Sequence, residues 1–164
     1  MGVHPDARWL RHGLESYPNG DAAPDSFDTI AALAQRPAAL VDPVVPSGVA
    51  ELLATSRELL SHSWFRYEFM AIACLVAFEA VEATLRQTVY PFAKPDTPLA
   101  ALVDQAVKER HLEADVAERV KAGPRLRAGL AERGGQAEYT FAIAEPIVEF
   151  CHRVVSRLAS SESS

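Results

Sequence analysis

A chain of 164 residues with 49% hydrophobic and 23% charged side chains holds enough apolar material for one core without covalent staples. Its formal net charge of −6 excludes a general attraction to phosphate backbones, so any nucleic-acid site must be a local basic patch. The two cysteines, Cys74 and Cys151, lie far apart in apolar helical stretches, which excludes a disulfide framework and suits a reducing compartment.

Residues 1–46 carry six of the eleven prolines: Pro5, Pro18, Pro24, Pro37, Pro43 and Pro46. Proline fixes φ and removes a donor, so regular structure here must be short. The segment is expected to be a Pro-rich arm lying on the body, because disordered arms rarely carry Trp and Phe. Met1–Leu14 holds Asp6, Arg8 and Arg11 and no apolar run, so it does not read as a secretory leader, and the cytoplasm is the expected address. Trp9, Leu10 and Leu14 suit a short amphipathic turn. Ser26 is placed to cap a helix over Phe27–Gln35, with Phe27, Ile30, Leu33 and Ala34 as its apolar stripe and Pro37 as its stop.

From Ser47 the pattern is helical. Val49, Leu52, Leu53, Ser56, Leu59 and Leu60 recur at helical spacing, and His62-Ser63-Trp64 is expected to interrupt or kink the run. A long helix is expected from about Trp64 to Val89. One face carries Met70, Cys74, Ala77, Phe78, Val81 and Leu85, another Glu79, Glu82 and Arg86, with Glu82 and Arg86 an (i, i+4) pair in the favourable order. The apolar stretch Phe69–Phe78 between Glu68 and Glu79 is too short to span a bilayer and reads as core. Pro91 and Pro95 close the helix.

Thr97-Pro98 reads as a helix start, a capping hydroxyl followed by proline, for a helix ending near His111. Glu113–Lys121 suits another short helix, acids first and Lys121 last, stopped by Gly123-Pro124. Pro124–Arg133 suits a further one, stopped by Gly134-Gly135. The last helix is expected from about Glu138 to Ala159, with Pro146 either kinking it or marking its first turn. Ser160–Ser164 should fray. The expected fold is therefore all-α: a Pro-rich arm over 1–46, an antiparallel helical bundle over 47–159, and a frayed tail over 160–164.

The order of elements in the body carries a resemblance. A long apolar helix ends Ala80-Val81-Glu82-Ala83-Thr84-Leu85-Arg86, a connecting helix follows, then Arg125-Leu126-Arg127-Ala128-Gly129-Leu130-Ala131-Glu132 and a final apolar helix. Ser47–Leu158 thereby resembles the HEPN superfamily of small helical-bundle RNases and RNA-binding domains. The family signature is Arg-Asn, three or four residues, then His, at or just before the last long helix. The resemblance implies that two protomers pair with their signatures facing. The arginine holds phosphate, the histidine handles protons, and RNA is cut through its 2′-hydroxyl without metal. On this chain Arg127 matches the arginine, Ala128 stands in place of the asparagine, and Glu132 in place of the histidine. Alanine offers no side-chain donor or acceptor, and an ionised Glu132 would repel the phosphate that Arg127 attracts.

The resemblance therefore implies a HEPN-like domain with a degraded nuclease signature, a non-catalytic dimerising or RNA-binding module. A homodimer and RNA are the partners it implies. Lys121, Arg125, Arg127 and Arg133 form the candidate anion site. The plainer reading is that Lys121 serves a helix C-terminus and the arginines pair with Glu132, Glu138 or a partner chain. Two alternatives stand: a metal-independent endoribonuclease using Arg127, and a helical ligand-binding or scaffold protein without an RNA role. A large apolar pocket lined by Met70, Cys74 and Phe78 would favour the last.

Other constellations carry less. Arg57-x4-His62 repeats the Arg-to-His spacing in the wrong helix, and its bland reading is a helix-end histidine near Glu58. Glu79, Glu82 and His152 are the residues for a metal site between helices, but no Glu-x-x-His pair accompanies them, and no metal is expected. Cys151 and His152, adjacent on a helix, point about 100° apart. Trp64, Phe65, Tyr67 and Phe69 suit core packing or a dimer seam better than a base-stacking platform. Without a Gly-rich phosphate loop or a serine elbow, no cofactor is expected.

Overall fold

The computed structural model describes residues 4–12, 24–133 and 139–161. The chain is all-α, a helical bundle, and among the described residues there is no strand. The elements are α1 (Ala7–His12), α2 (Phe27–Gln35) with a 3-10 turn (Arg36–Leu40), α3 (Ser47–His62), α4 (Phe69–Thr84) with a π turn (Leu85–Val89), α5 (Leu99–Lys108), α6 (Ala114–Val120), α7 (Ala122–Arg133) and α8 (Phe141–Ser161). Among the described residues no helix is long and apolar enough to cross a membrane.

Asp6, Arg8 and Trp9 dock on the turn that precedes α4. Trp9 of α1 is 3% exposed, its ring 5.5 Å from Trp64, 6.2 Å from Tyr67 and 5.8 Å from Phe141. Its indole N–H donates to the Ser63 carbonyl at 2.6 Å, so the polar end of a buried aromatic is satisfied. Asp6 accepts from the Tyr67 amide and pairs with Arg8, which also reaches Glu68. The Arg8 guanidinium holds the Asp6 carboxyl far below the usual carboxylate range. Ser26 caps α2 by accepting from the Thr29 amide, as the sequence implies. Pro37 falls in the 3-10 turn that ends the helix. Leu14 lies outside the described residues, as do Gly134-Gly135, Glu138 and the last three serine-rich positions.

Several boundaries differ from expectation for identifiable reasons. The long helix begins at Phe69, not Trp64. Residues 63–68 form turns instead, with Ser63 Oγ donating to the Leu60 carbonyl and the Phe65 and Arg66 amides to His62. This reversal delivers Trp64 and Tyr67 to Trp9. Thr97 does not cap α5: Pro98 occupies the cap position without a side-chain bond, and the Thr97 carbonyl accepts from Arg86 at 2.7 Å. Gly123-Pro124 does not end a helix but lies in the first turn of α7, where proline's missing N–H has no intrahelical acceptor to lose. Pro146 sits exposed inside α8. That helix runs on through Ser160 and Ser161, Ser160 Oγ donating to the Ser156 carbonyl with Asp42 3.1 Å away as the alternative acceptor, and Ser161 Oγ donating to the Leu158 carbonyl, so these two serines are held where fraying was expected.

The core lies where α3, α4 and α8 meet. Met70, Ala73, Cys74, Ala77, Ala80 and Val81 of α4 are buried, as are Val148, Cys151, Val155 and Leu158 of α8. The Cys74 thiol lies 3.8 Å from the Ala144 carbonyl, and Phe78 shares a cleft with Ile147 and Phe150. This pairing order sets α4 and α8 in the same sense. Asp42, ahead of α3, meets Ser156 and Ser160, and Arg57 of α3 meets His152, so the chain from 42 to 57 is tied to α8 at both ends.

Candidate functional site

The expected anion cluster begins at the end of α6 and runs along α7. Arg127 Nη2 forms an ion pair with Glu79 Oε1 of α4, the two side chains being 58% and 41% exposed. Among the described residues its partner is thus not Glu132 but a carboxylate at the end of the apolar stretch; Glu138 lies outside the described residues. Lys121 turns to α5 and α6, its ammonium 2.7 Å from Asp104 and 3.0 Å from Glu118, and its pKa is raised by these two hydrogen bonds, Asp104 first. Arg125, Ala128 and Glu132 are exposed. Arg133 ends α7, and its side chain lies outside the described ones. The cluster is therefore split: Lys121 faces α5 while Arg127 faces α4, each neutralised by carboxylates. Sequence reasoning placed Glu79 on the polar face of α4 and missed it as the partner of Arg127, because its helical position alone does not reveal that α7 crosses it.

The decoy Arg57-x4-His62 separates in space. His62 is exposed, its Nδ1 2.8 Å from the Glu58 carbonyl and its ring beside those of Phe27 and Phe65. Arg57 points the other way, its Nη1 2.8 Å from Nε2 of His152 and its Nε donating to Gln35 at 3.2 Å. His152 is fully buried, and its Nδ1 lies 2.8 Å from the Val148 carbonyl. A guanidinium has no acceptor and a carbonyl no donor. This assigns the neutral tautomer, with Nδ1–H donating to Val148 and Nε2 accepting from Arg57. Burial, and then the Arg57 charge, push the imidazole down to about 4. Burial also lowers Arg57. Nε2 ties α8 to Arg57 of α3 while Nδ1 is spent on the Val148 carbonyl of its own helix, so His152 is a joint of the core and not a proton carrier at Arg127.

The remaining candidates resolve into packing. Glu82 is bound to Arg86 at 2.8 Å, so Glu79, Glu82 and His152 each serve a different arginine. Among the described residues no three His, Cys, Asp or Glu side chains gather as a metal site. Burial pushes the Cys74 thiol up to about 12 and Cys151 well above its ordinary value, which keeps both protonated. Phe65 stacks on Phe27 at 4.9 Å, while Trp64 and Tyr67 enclose Trp9. Met70 and Cys74 are fully enclosed. Phe78, by contrast, lines a cleft of about 160 Å³ with Arg119, Ala122, Leu126, Tyr139, Ile147 and Phe150.

Comparison with family models, with curated proteins and with solved structures finds no match to this chain.

Proposed function

We propose that this chain is a non-catalytic HEPN-like helical module that pairs with a second copy of itself and cuts no RNA. The observation that carries this reading is the occupancy of the signature position. Arg127 pairs with Glu79, and beside it stand Ala128 and an exposed Glu132 instead of an amide and an imidazole. Metal-free cleavage through the 2′-hydroxyl needs groups that take and return protons, and the arginine cannot do so. Ile72 of α4 and Ile143 of α8 favour pairing over RNA binding. Both are exposed large apolar residues near the same end of two neighbouring helices. The acidic balance of −6 and the paired state of Lys121 argue in the same direction. Two protonated, buried thiols suit the cytoplasm.

The test is cleavage of a mixed single-stranded RNA pool in EDTA, wild type beside Arg127→Ala, with the mass in solution measured by light scattering. The expected result is a dimer mass and no turnover. Turnover that Arg127→Ala abolishes would establish the endoribonuclease reading. Salt-sensitive RNA binding without cleavage would move the module to the RNA-binding class. A monomer at micromolar concentration would refute the pairing.

A further inference from the structure

The cleft beside Phe78 combines an apolar interior with an unengaged cation. Phe78, Leu126 and Phe150 are buried in its wall, and Ile147 and Tyr139 are half-buried. Arg119 of α6 is exposed, and its guanidinium carbon lies 3.8 Å from the centroid of the Phe150 ring. Asp115 stands four residues earlier on the same helix, in the order that favours an (i, i+4) ion pair. Arg119 lies over the ring instead, and it forms no ion pair or hydrogen bond among the described residues. Stacking fixes the plane of the guanidinium while leaving its N–H groups free around the edge. A fixed fork of donors thus stands at the mouth of an apolar recess, the arrangement that recognises a carboxylate carried on an apolar body.

Size narrows the body. The cleft holds about 160 Å³, and an apolar cavity of about 150 Å³ is enough to admit benzene. We propose that the cleft between α4, α6, α7 and α8 binds a small aromatic carboxylate, its ring against Phe78, Leu126 and Phe150 and its carboxylate on the Arg119 guanidinium. Gly123 contributes to the shape of this wall. A Cβ there would lie 2.8 Å from Phe78 Cγ, so only glycine lets α7 close on that ring. The inference does not depend on the reading of Arg127, which pairs with Glu79 and is not among the residues lining the cleft.

Ligand-observed NMR titration of the full chain with phenylacetate, and with 2-phenylethanol as its uncharged counterpart, tests the site. Saturable millimolar binding of the acid is expected, tighter than that of the alcohol. Arg119→Gln should weaken the acid about tenfold or more, the loss of a charge-assisted pair, and leave the alcohol unchanged. Ile147→Phe, filling the cleft from its half-buried rim, should abolish both. If Ile147→Phe lowers the helical circular dichroism signal, the change at exposed Arg119 decides alone. Acid and alcohol binding equally to wild type, acid affinity unmoved by Arg119→Gln, or no saturable binding of the acid would each overturn the proposal.

Discussion

Replacing His152 with glutamine should remove an acid-sensitive component of stability. Glutamine can accept from Arg57 through its carbonyl and donate to Val148 through its amide, but it does not titrate. In the wild type the imidazole falls from an ordinary value of 6.5 to about 4 on folding. The unfolded chain therefore takes up a proton from about pH 6.5 downward, while the folded chain resists until about pH 4. Within that window the unfolded state binds more protons, so stability falls as pH falls; below it both states are protonated and the component is flat. At about 1.4 kcal/mol per pH unit, the loss attributable to His152 is about 3 kcal/mol. A protonated ring would also set a second cation 2.8 Å from the Arg57 guanidinium and lose its acceptor. The assay is urea unfolding at steps from about pH 7 to about pH 4, wild type against His152→Gln, read as the difference between the two curves. Asp6, Glu68 and Glu145 titrate in both proteins and cancel. Parallel curves would refute the neutral, arginine-facing assignment.

Gly123→Ala should destabilise by about 1–2 kcal/mol, overpacking against Phe78 outweighing the helical preference for alanine. The same change at Gly48, whose added Cβ meets nothing within 4 Å, should instead stabilise by up to about 1 kcal/mol; urea midpoints that shift in the same direction would contradict this packing. Arg110 holds a left-handed φ of 67° at the end of α5, where the His111 and Arg110 amides donate to the Ala106 and Val107 carbonyls. Arg110→Gly should therefore raise stability by about 1 kcal/mol, visible as a higher melting temperature by circular dichroism.

Most of the helices were legible because their signals are local. Ser26 and Pro37 bound α2, and Pro91 follows the turn that ends α4. The misplaced boundaries share one cause. Trp64 and Tyr67 continue a helical apolar rhythm, yet their rings pack on Trp9, and the chain turns to deliver them there. Gly123-Pro124 reads as a stop in isolation. It becomes a start because Phe78, distant in sequence, needs a helix without a Cβ at that point. At the candidate site the missing residues were again partners across the bundle. Nothing near Arg57 marks His152, and nothing near Arg127 marks Glu79. Arg119 carries no local cue at all, since its stacking on Phe150 depends on how α6 meets α8.

The Arg127–Glu79 pair does not by itself silence the signature position. Both groups are substantially exposed, and such pairs contribute about 0–1 kcal/mol. A phosphate offers Arg127 a bidentate partner of comparable or greater strength, so RNA could displace Glu79 at little cost. The barrier lies in what the displacement would leave. Glu79 would then stand beside the bound phosphate as a carboxylate, disfavouring it, and neither Ala128 nor Glu132 would supply the missing amide or imidazole. On the proposed reading, restoring one residue alone should not produce turnover. Ala128→Asn adds a donor but leaves a carboxylate where the family has an imidazole, and Glu132→His adds the imidazole without the amide that would orient the phosphate. The proposed loss of catalysis thus rests on absent chemistry at two positions, while the ion pair sets only the affinity with which Arg127 meets an anion.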